Sequence, residues 1–233
     1  MKRATMELGG HSPVLVFEDV DPEGVAKMMG AMKYRNAGQV CVSPTRFFVH
    51  EKTTSSLASL RTLPATRRSA TASTRTPAWD PSPTRAGSMR SKPSSTTRRR
   101  RAPRLATGGK RMGNQGNFFQ PTVLTDVPES ARIMHEEPFG PVAVMLRFKE
   151  TDEMLTRANK LPYGLASYAF TTDAKTATKV ADALESGMVT INHFGIALPE
   201  TPFGGVKDSG FGHEGGSEGL QVYMQAKFIS HLG

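Results

Sequence analysis

The chain contains one cysteine, Cys41, in the run N-A-G-Q-V-C-V (36–42). A thiol becomes a nucleophile as its thiolate, and backbone N–H groups at a glycine turn can stabilise both a thiolate and an oxyanion. Gly38 lets the chain come close to a ligand at that point. A lone cysteine is more often an inert apolar side chain, so the reading rests on the company it keeps. Glu7 stands in E-L-G-G (7–10), where two glycines allow a tight turn that aims its carboxylate into a cleft. A carboxylate base suits a thioacyl intermediate, which an activated water must hydrolyse. The bland alternative is a solvated surface acid. A third run, H-E-E-P-F-G-P-V (135–142), packs two acids, an aromatic and a turn. Glu137 can accept from ribose hydroxyls and Phe139 can pack on a flat ring, although spacing alone does not separate this from an ordinary loop.

Other chemistry is disfavoured. The six histidines are scattered without paired spacing, so no metal site is expected. Gly210 to Gly215 matches G-x-G-x-x-G, but a dinucleotide fingerprint must follow a strand and open a helix. Here a polar loop, Val206 to Ser209, precedes it, and a backbone crossing is the better reading. One cysteine excludes a disulfide framework and suits a reducing compartment, with the cytoplasm as default. No apolar run approaches the roughly 18 residues that span a bilayer, and the first residues lack the apolar core of a signal peptide. No membrane association is expected.

The elements that must position these groups alternate between strand and helix signals. Pro13 to Phe17 reads as a buried strand. Asp21-Pro22 caps a helix whose apolar stripe is Val25, Met28, Met29 and Met32, and Asn36-Ala-Gly38 ends it. Arg46 to His50, Val142 to Phe148, Ala166 to Thr171 and Met188 to Asn192 read as further strands. Helices begin near Thr151 and after Asp173, the second stopped by Gly187. A last helix near 214–224 leads into a terminal strand, Ala226 to Ser230. The pattern predicts an α/β fold with an open, mostly parallel sheet and flanking helices.

The ordered motifs resemble those of the aldehyde dehydrogenase superfamily. They are M-E-L-G-G-H-S-P (6–13), N-A-G-Q-V-C-V (36–42), F-F-Q-P-T-V-L (118–124), H-E-E-P-F-G-P-V (135–142), Y-G-L-A-S-Y (163–168), T-P-F-G-G-V-K-D-S-G (201–210) and G-L-Q-V-Y (219–223). The resemblance covers residues 1–56 and about 106–233. It implies the catalytic half of such an enzyme, with NAD or NADP as coenzyme and an aldehyde as substrate. By the same resemblance Cys41 attacks the aldehyde, Glu7 activates the hydrolytic water, Glu137 and Phe139 meet the nicotinamide riboside, and the Leu8 backbone approaches the carboxamide. Asn192 and the Gly204-Gly205 turn are implied to be structural. His11 stands where the family often has lysine and is expected to be a surface change. Residues 192–216 look most like the succinate-semialdehyde dehydrogenase branch. The family's coenzyme-binding half is not found here, so the resemblance implies a truncated chain without independent activity. The terminal strand implies a homo-oligomer.

Four segments follow: 1–56 and 106–225 as two parts of the catalytic domain, 57–105 as a low-complexity basic stretch, and 226–233 as an oligomerisation strand. Residues 57–105 carry 12 Lys+Arg against one acid, which accounts for the whole net charge of +9 and leaves the remainder at −2. They have no Val, Ile or Phe, with 16 Ser/Thr and 6 Pro, a composition expected to be disordered. Translation out of frame explains them. Synonymous codons for Ser69 to Thr84 read from the third base give G-D-G-L-D-P-D-A-C-M-G-P-I-A-H, a family-like string, and the frame returns near 104. Nucleic acid is therefore not an expected partner. The alternatives are a polyanion-binding protein acting through 57–105 and a cysteine hydrolase pairing Cys41 with a histidine.

Overall fold

The computed structural model describes residues 2–53 and 103–233. The basic stretch 57–105 lies outside the described residues apart from its last three positions. Two of those, Arg104 and Leu105, belong to a strand.

Seven strands form one sheet. In chain order they are β2 (Ser12–Val16), β3 (Pro44–His50), β4 (Arg104–Thr107), β5 (Thr122–Thr125), β6 (Val142–Phe148), β8 (Ala166–Phe170) and β9 (Met188–Ile191), after a two-residue β1 (Met6–Glu7) and with a two-residue β7 (Tyr163–Gly164) between β6 and β8. The spatial order is β4-β5-β6-β3-β2-β8-β9. Every pairing in it is parallel except β4 with β5. The α/β reading of the sequence therefore holds, and strands buried on both faces explain the continuous apolar runs.

Alternation along each strand divides the core. Val14, Val16, Phe47, Val49, Tyr168 and Phe170 face one side, packed with Val25, Ala26 and Met29 of helix α1 (Pro22–Lys33). Leu15, Phe48, Val144, Leu146 and Ala169 face the other, against α2 (Thr151–Asn159) and α3 (Ala174–Ala183). Each fully buried side chain of this kind contributes about 1.5–3 kcal/mol, and Phe47→Ala at the sheet centre would cost about 3–5 kcal/mol. Arg46 fastens the second layer, donating to the carbonyls of His11, Arg157 and Ala158.

Local details differ from the sequence expectation in instructive ways. Asp21 caps α1 through the N–H groups of Glu23 and Gly24, with Pro22 following. The buried face of α1, however, runs Val25, Ala26, Met29, Gly30 and Lys33, leaving Met28 exposed. Helix α3 ends at Ala183, and Gly187 instead donates to the Gly164 carbonyl while passing against Gly204. The helix expected near 214–224 is a 3-10 segment, Glu218–Tyr223. Among the described residues, 226–230 pair with no strand of the same chain, and Phe228 and Ile229 are exposed.

Two short ribbons complete the described elements. β10 (Val206–Lys207) pairs with β7, and β11 (Gly210–Phe211) pairs antiparallel with β1. The G-x-G-x-x-G string thus opens in a ribbon whose first glycine lies against the Met6 carbonyl, a backbone crossing.

Candidate active site

Three loops enter three adjacent strands from the same end of the sheet. The segment holding Glu7 runs into β2, the segment holding Cys41 into β3, and the segment holding Glu137 into β6. These are the amino ends of the strands, whereas ligands of open α/β sheets ordinarily gather at the carboxyl ends.

The Cys41 loop begins where α1 stops at Lys33. Asn36, Ala37 and Gly38 follow in the left-handed region, with φ of 49°, 59° and 72°. Asparagine tolerates that conformation and glycine is at ease in it, but alanine is strained, at a cost of about 1–3 kcal/mol. The surroundings hold the turn. Ala37 is buried, Asn36 donates to the Gln39 carbonyl, and a Cβ at Gly38 would run into the carbonyl oxygen of Gly140. On the far side of Cys41, the buried Tyr168 hydroxyl donates to the Val42 carbonyl at 2.6 Å. The turn thus delivers a half-buried cysteine at a fixed place.

Burial pushes the Cys41 thiol up. The N–H groups of Val42 and of Cys41 itself pull it down, and the charges of Glu137 and Glu7 raise it. The net result is a thiol held protonated at rest, with two backbone donors beside the sulfur and two carboxylates within its field.

Gly9 and Gly10, read from the sequence as a tight turn, both have negative φ. They let the three loops converge instead. A Cβ at Gly9 would lie 2.6 Å from Glu137 Oε2, and one at Gly10 would lie 2.7 Å from the Cys41 carbonyl oxygen. The Gly10 N–H donates to Glu137 Oε1 at 3.1 Å. Burial pushes the Glu137 carboxyl up, while this bond and the Lys33 ammonium draw it down.

Glu7 has a different environment. Both carboxylate oxygens are shut from solvent, and among the described residues neither has a hydrogen-bond donor. Burial, with the charge of Glu214, pushes this carboxyl above its ordinary range. Leu8 and Phe139 stand on the rim, 45% and 40% exposed, and the Leu8 N–H is taken by the Ser209 carbonyl.

His11 is a correction. It is 1% exposed, not a surface residue, and bonds Thr45 Oγ1 through Nδ1 and the Ile133 carbonyl through Nε2. Burial, with Arg46 next to it, pushes it down to about 3, so the ring is neutral. A neutral imidazole fits an enclosed pair of partners that an ammonium would not.

The same motifs match a known family from end to end. The profile described as "Aldehyde dehydrogenase family" matches residues 1–229. The chain belongs to the aldehyde dehydrogenase family. It is 39% identical to the 4-(hydroxymethyl)benzenesulfonate dehydrogenase TsaD1 of Comamonas testosteroni, over 100% of this chain and 48% of that one. It is 34% identical to the NADP(+) succinate-semialdehyde dehydrogenase GabD of Escherichia coli, over 98% and 48%. The NAD+ complex of a Bacillus cereus aldehyde dehydrogenase superposes with a TM-score of 0.80 at 32% identity, covering 96% of this chain and 46% of that one. The chain spans about half the length of the curated relatives it matches. The Escherichia coli relative is named for NADP(+), and the Bacillus cereus enzyme was solved with NAD+.

Several groups at the site escaped the sequence reading. Tyr168 lay inside the Y-G-L-A-S-Y motif without a role, and Glu214 inside the rejected glycine string. Lys33 carried a signal: it extends the Val25, Met29 series by one more helical step, a lysine on the apolar face. Among the described residues no group of three His, Cys, Asp or Glu is placed to hold a metal ion, and no helix is long and apolar enough to cross a membrane.

Proposed function

We propose that the amino edge of this sheet carries the acyl-transfer part of an aldehyde-to-acid oxidation, with Cys41 as nucleophile and Glu7 as general base. The convergence of the loops before β2, β3 and β6 at Gly9-Gly10 is the observation that supports it. The Cys41 sulfur adds to the aldehyde carbon, beside the Cys41 and Val42 N–H groups that favour its thiolate. Bound NAD(P) would accept the hydride that the Cys41 adduct gives up on becoming a thioester. Glu7 then takes a proton from the water that attacks the acyl carbon, releasing the acid and returning the thiol. Its raised pKa brings its proton affinity closer to neutrality, where a base works best.

The rim fits one end of such a coenzyme. Phe139 offers an exposed ring face, Glu137 a carboxylate anchored by Gly10, and Leu8, whose N–H is spent on Ser209, a carbonyl suited to an amide donor. The crossing at Gly210 offers no strand-turn-helix cradle for the pyrophosphate. We expect these 233 residues assayed by themselves not to reduce NAD(P), read as absence of coenzyme absorbance change. The two relatives are named for substrates that carry an anionic group, which favours an anionic aldehyde, a semialdehyde among them, over a neutral one.

An activated ester tests the site without coenzyme, since it acylates a nucleophile directly. With p-nitrophenyl acetate we expect a burst of p-nitrophenol that Cys41→Ala abolishes. Turnover that needs a histidine and not Glu7 would overturn the reading in favour of a cysteine hydrolase.

Residues 57–105 are read as translated out of frame. The alignment to TsaD1 runs over 242 positions across 100% of this chain, which supports replacement of a family segment over insertion of a new one. The concentrated charge supports the polyanion alternative, under which DNA binding would be salt-sensitive and lost on deleting the segment. Reading the gene's DNA separates the two, because stop codons in the third-base frame would exclude the frameshift. The exposed apolar side chains at 226–233 support pairing between copies of the chain, tested by sedimentation with and without that segment.

A further inference from the structure

Val40 to Ser43 form a tight turn with Cys41 and Val42 at its corners, closed by the Ser43 N–H donating to the Val40 carbonyl at 2.8 Å. The two peptide planes that flank Val42 are each gripped from outside the turn. On the first plane, the Cys41 carbonyl lies against Gly10, where a Cβ would stand 2.7 Å from the oxygen. On the second, the Val42 carbonyl accepts from the Tyr168 hydroxyl at 2.6 Å. Planar peptides leave two soft dihedrals per residue, so holding both planes fixes Val42. The N–H groups beside the sulfur then keep their direction.

Strand neighbours do not explain the Tyr168 contact. Tyr168 sits in the middle of β8, in register with Val14 of β2, and β2 separates β8 from β3. Its side chain reaches past that strand to the loop that enters β3. The ring is fully buried and packs on Phe194, with centroids 4.7 Å apart and planes tilted by 54°. Asn192 anchors the Phe194 loop, standing at φ 64° and both donating to and accepting from the Thr171 backbone. A buried phenol needs an acceptor, and this one takes the carbonyl next along the chain from Cys41. Burial pushes the phenol well above its ordinary range, which keeps the hydroxyl a donor while the thiol titrates. The titratable groups facing the phenol are Cys41 and Arg35, and those facing the thiol include Glu137 and Glu7.

We propose that Tyr168 is a positioning residue for the nucleophile: by holding the Val42 carbonyl, its hydroxyl fixes the Val40–Ser43 turn and with it the sulfur and the two N–H groups beside it. A strand that contributes nothing to the chemistry itself thereby sets how well the cysteine is presented. The proposal rests on Cys41 being the nucleophile.

Tyr168→Phe tests it, because that change removes the hydroxyl and keeps the ring against Phe194. Cys41 is the single cysteine, so alkylation by iodoacetamide reports on it alone. With the turn loosened, the N–H groups support the thiolate less well. We expect the midpoint of the alkylation profile to move to higher pH and the p-nitrophenol burst to slow several-fold, with circular dichroism unchanged. The same change at Tyr34, whose hydroxyl donates to the Thr122 carbonyl at 3.2 Å, should leave both readings at wild-type values. Equal effects of the two variants would overturn the proposal, and so would an unmoved midpoint and burst in Tyr168→Phe. A burst that survives Cys41→Ala is a separate result, which removes the nucleophile and the proposal with it. Should Tyr168→Phe fail to fold, Phe194→Leu removes the ring that packs on Tyr168 and leaves the hydroxyl in place. It should move the midpoint in the same direction by less, and no movement would overturn the proposal.

Discussion

Strand β2 has a carboxylate near each end, and the two are treated in opposite ways. Asp19, beyond the carboxyl end, receives four donors on one oxygen: the hydroxyls of Thr171 and Thr172 and the N–H groups of Thr172 and Asp173. Burial pushes it up, but those bonds outweigh the burial and hold it below the usual carboxylate range. Glu7, before the amino end, has two enclosed oxygens without a donor among the described residues and is pushed up. One end of the sheet is built for stability, the other holds a carboxylate in a costly state. A fold leaves such a group unsatisfied where another purpose requires it. The left-handed Ala37 and the buried Lys33 at the same amino edge fit that pattern.

The largest test of this contrast is kinetic. Glu7→Gln should keep the p-nitrophenol burst and slow the steady phase by roughly 10²–10⁴-fold, the usual worth of a general base. Asp19→Ala should leave both phases unchanged. Next comes the turn that presents the nucleophile. Gly38→Ala places a side chain in left-handed backbone against Gly140, and thermal melts should show a loss of about 1–3 kcal/mol or more, with slower alkylation of Cys41. At the other end, Asp19→Ala should cost about 1.5–3 kcal/mol of stability, as expected for bonds to a charged acceptor, with no change in alkylation. The smallest effect is in the pH dependence of stability. Asp19 has a lowered folded pKa, so its contribution is present above the ordinary aspartate range and fades as pH falls through the folded value. Glu7 has a raised folded pKa, so stability declines as pH rises from the ordinary glutamate range through the folded value. Urea titrations of Glu7→Gln should lose that second slope, and those of Asp19→Ala the first.

Much of the stable end was legible in the sequence, since apolar runs and the Asp21-Pro22 cap follow directly from burial and capping. The active edge was legible only in part. Cys41, Glu7 and Glu137 stood out as candidates by residue type and neighbouring glycines, but their roles came only from the family resemblance. How they meet was not legible, because it depends on contacts between loops distant in sequence. Gly9-Gly10 looked like a turn and proved to be a point of close approach, which no local pattern distinguishes. His11 looked like a surface substitution because nothing local reveals that Thr45 and Ile133 enclose it. Lys33 was the readable exception, a charge at a position whose helical spacing demanded an apolar side chain.

The central claim is that Cys41 and Glu7 act in turn on one acyl intermediate. Intact-protein mass spectrometry after a pulse of p-nitrophenyl acetate tests it most directly. An acetyl group should appear on Cys41 in both the wild-type chain and Glu7→Gln, clear rapidly from the first, and persist on the second. An adduct that clears at the same rate from both, or that sits on another residue, would contradict it.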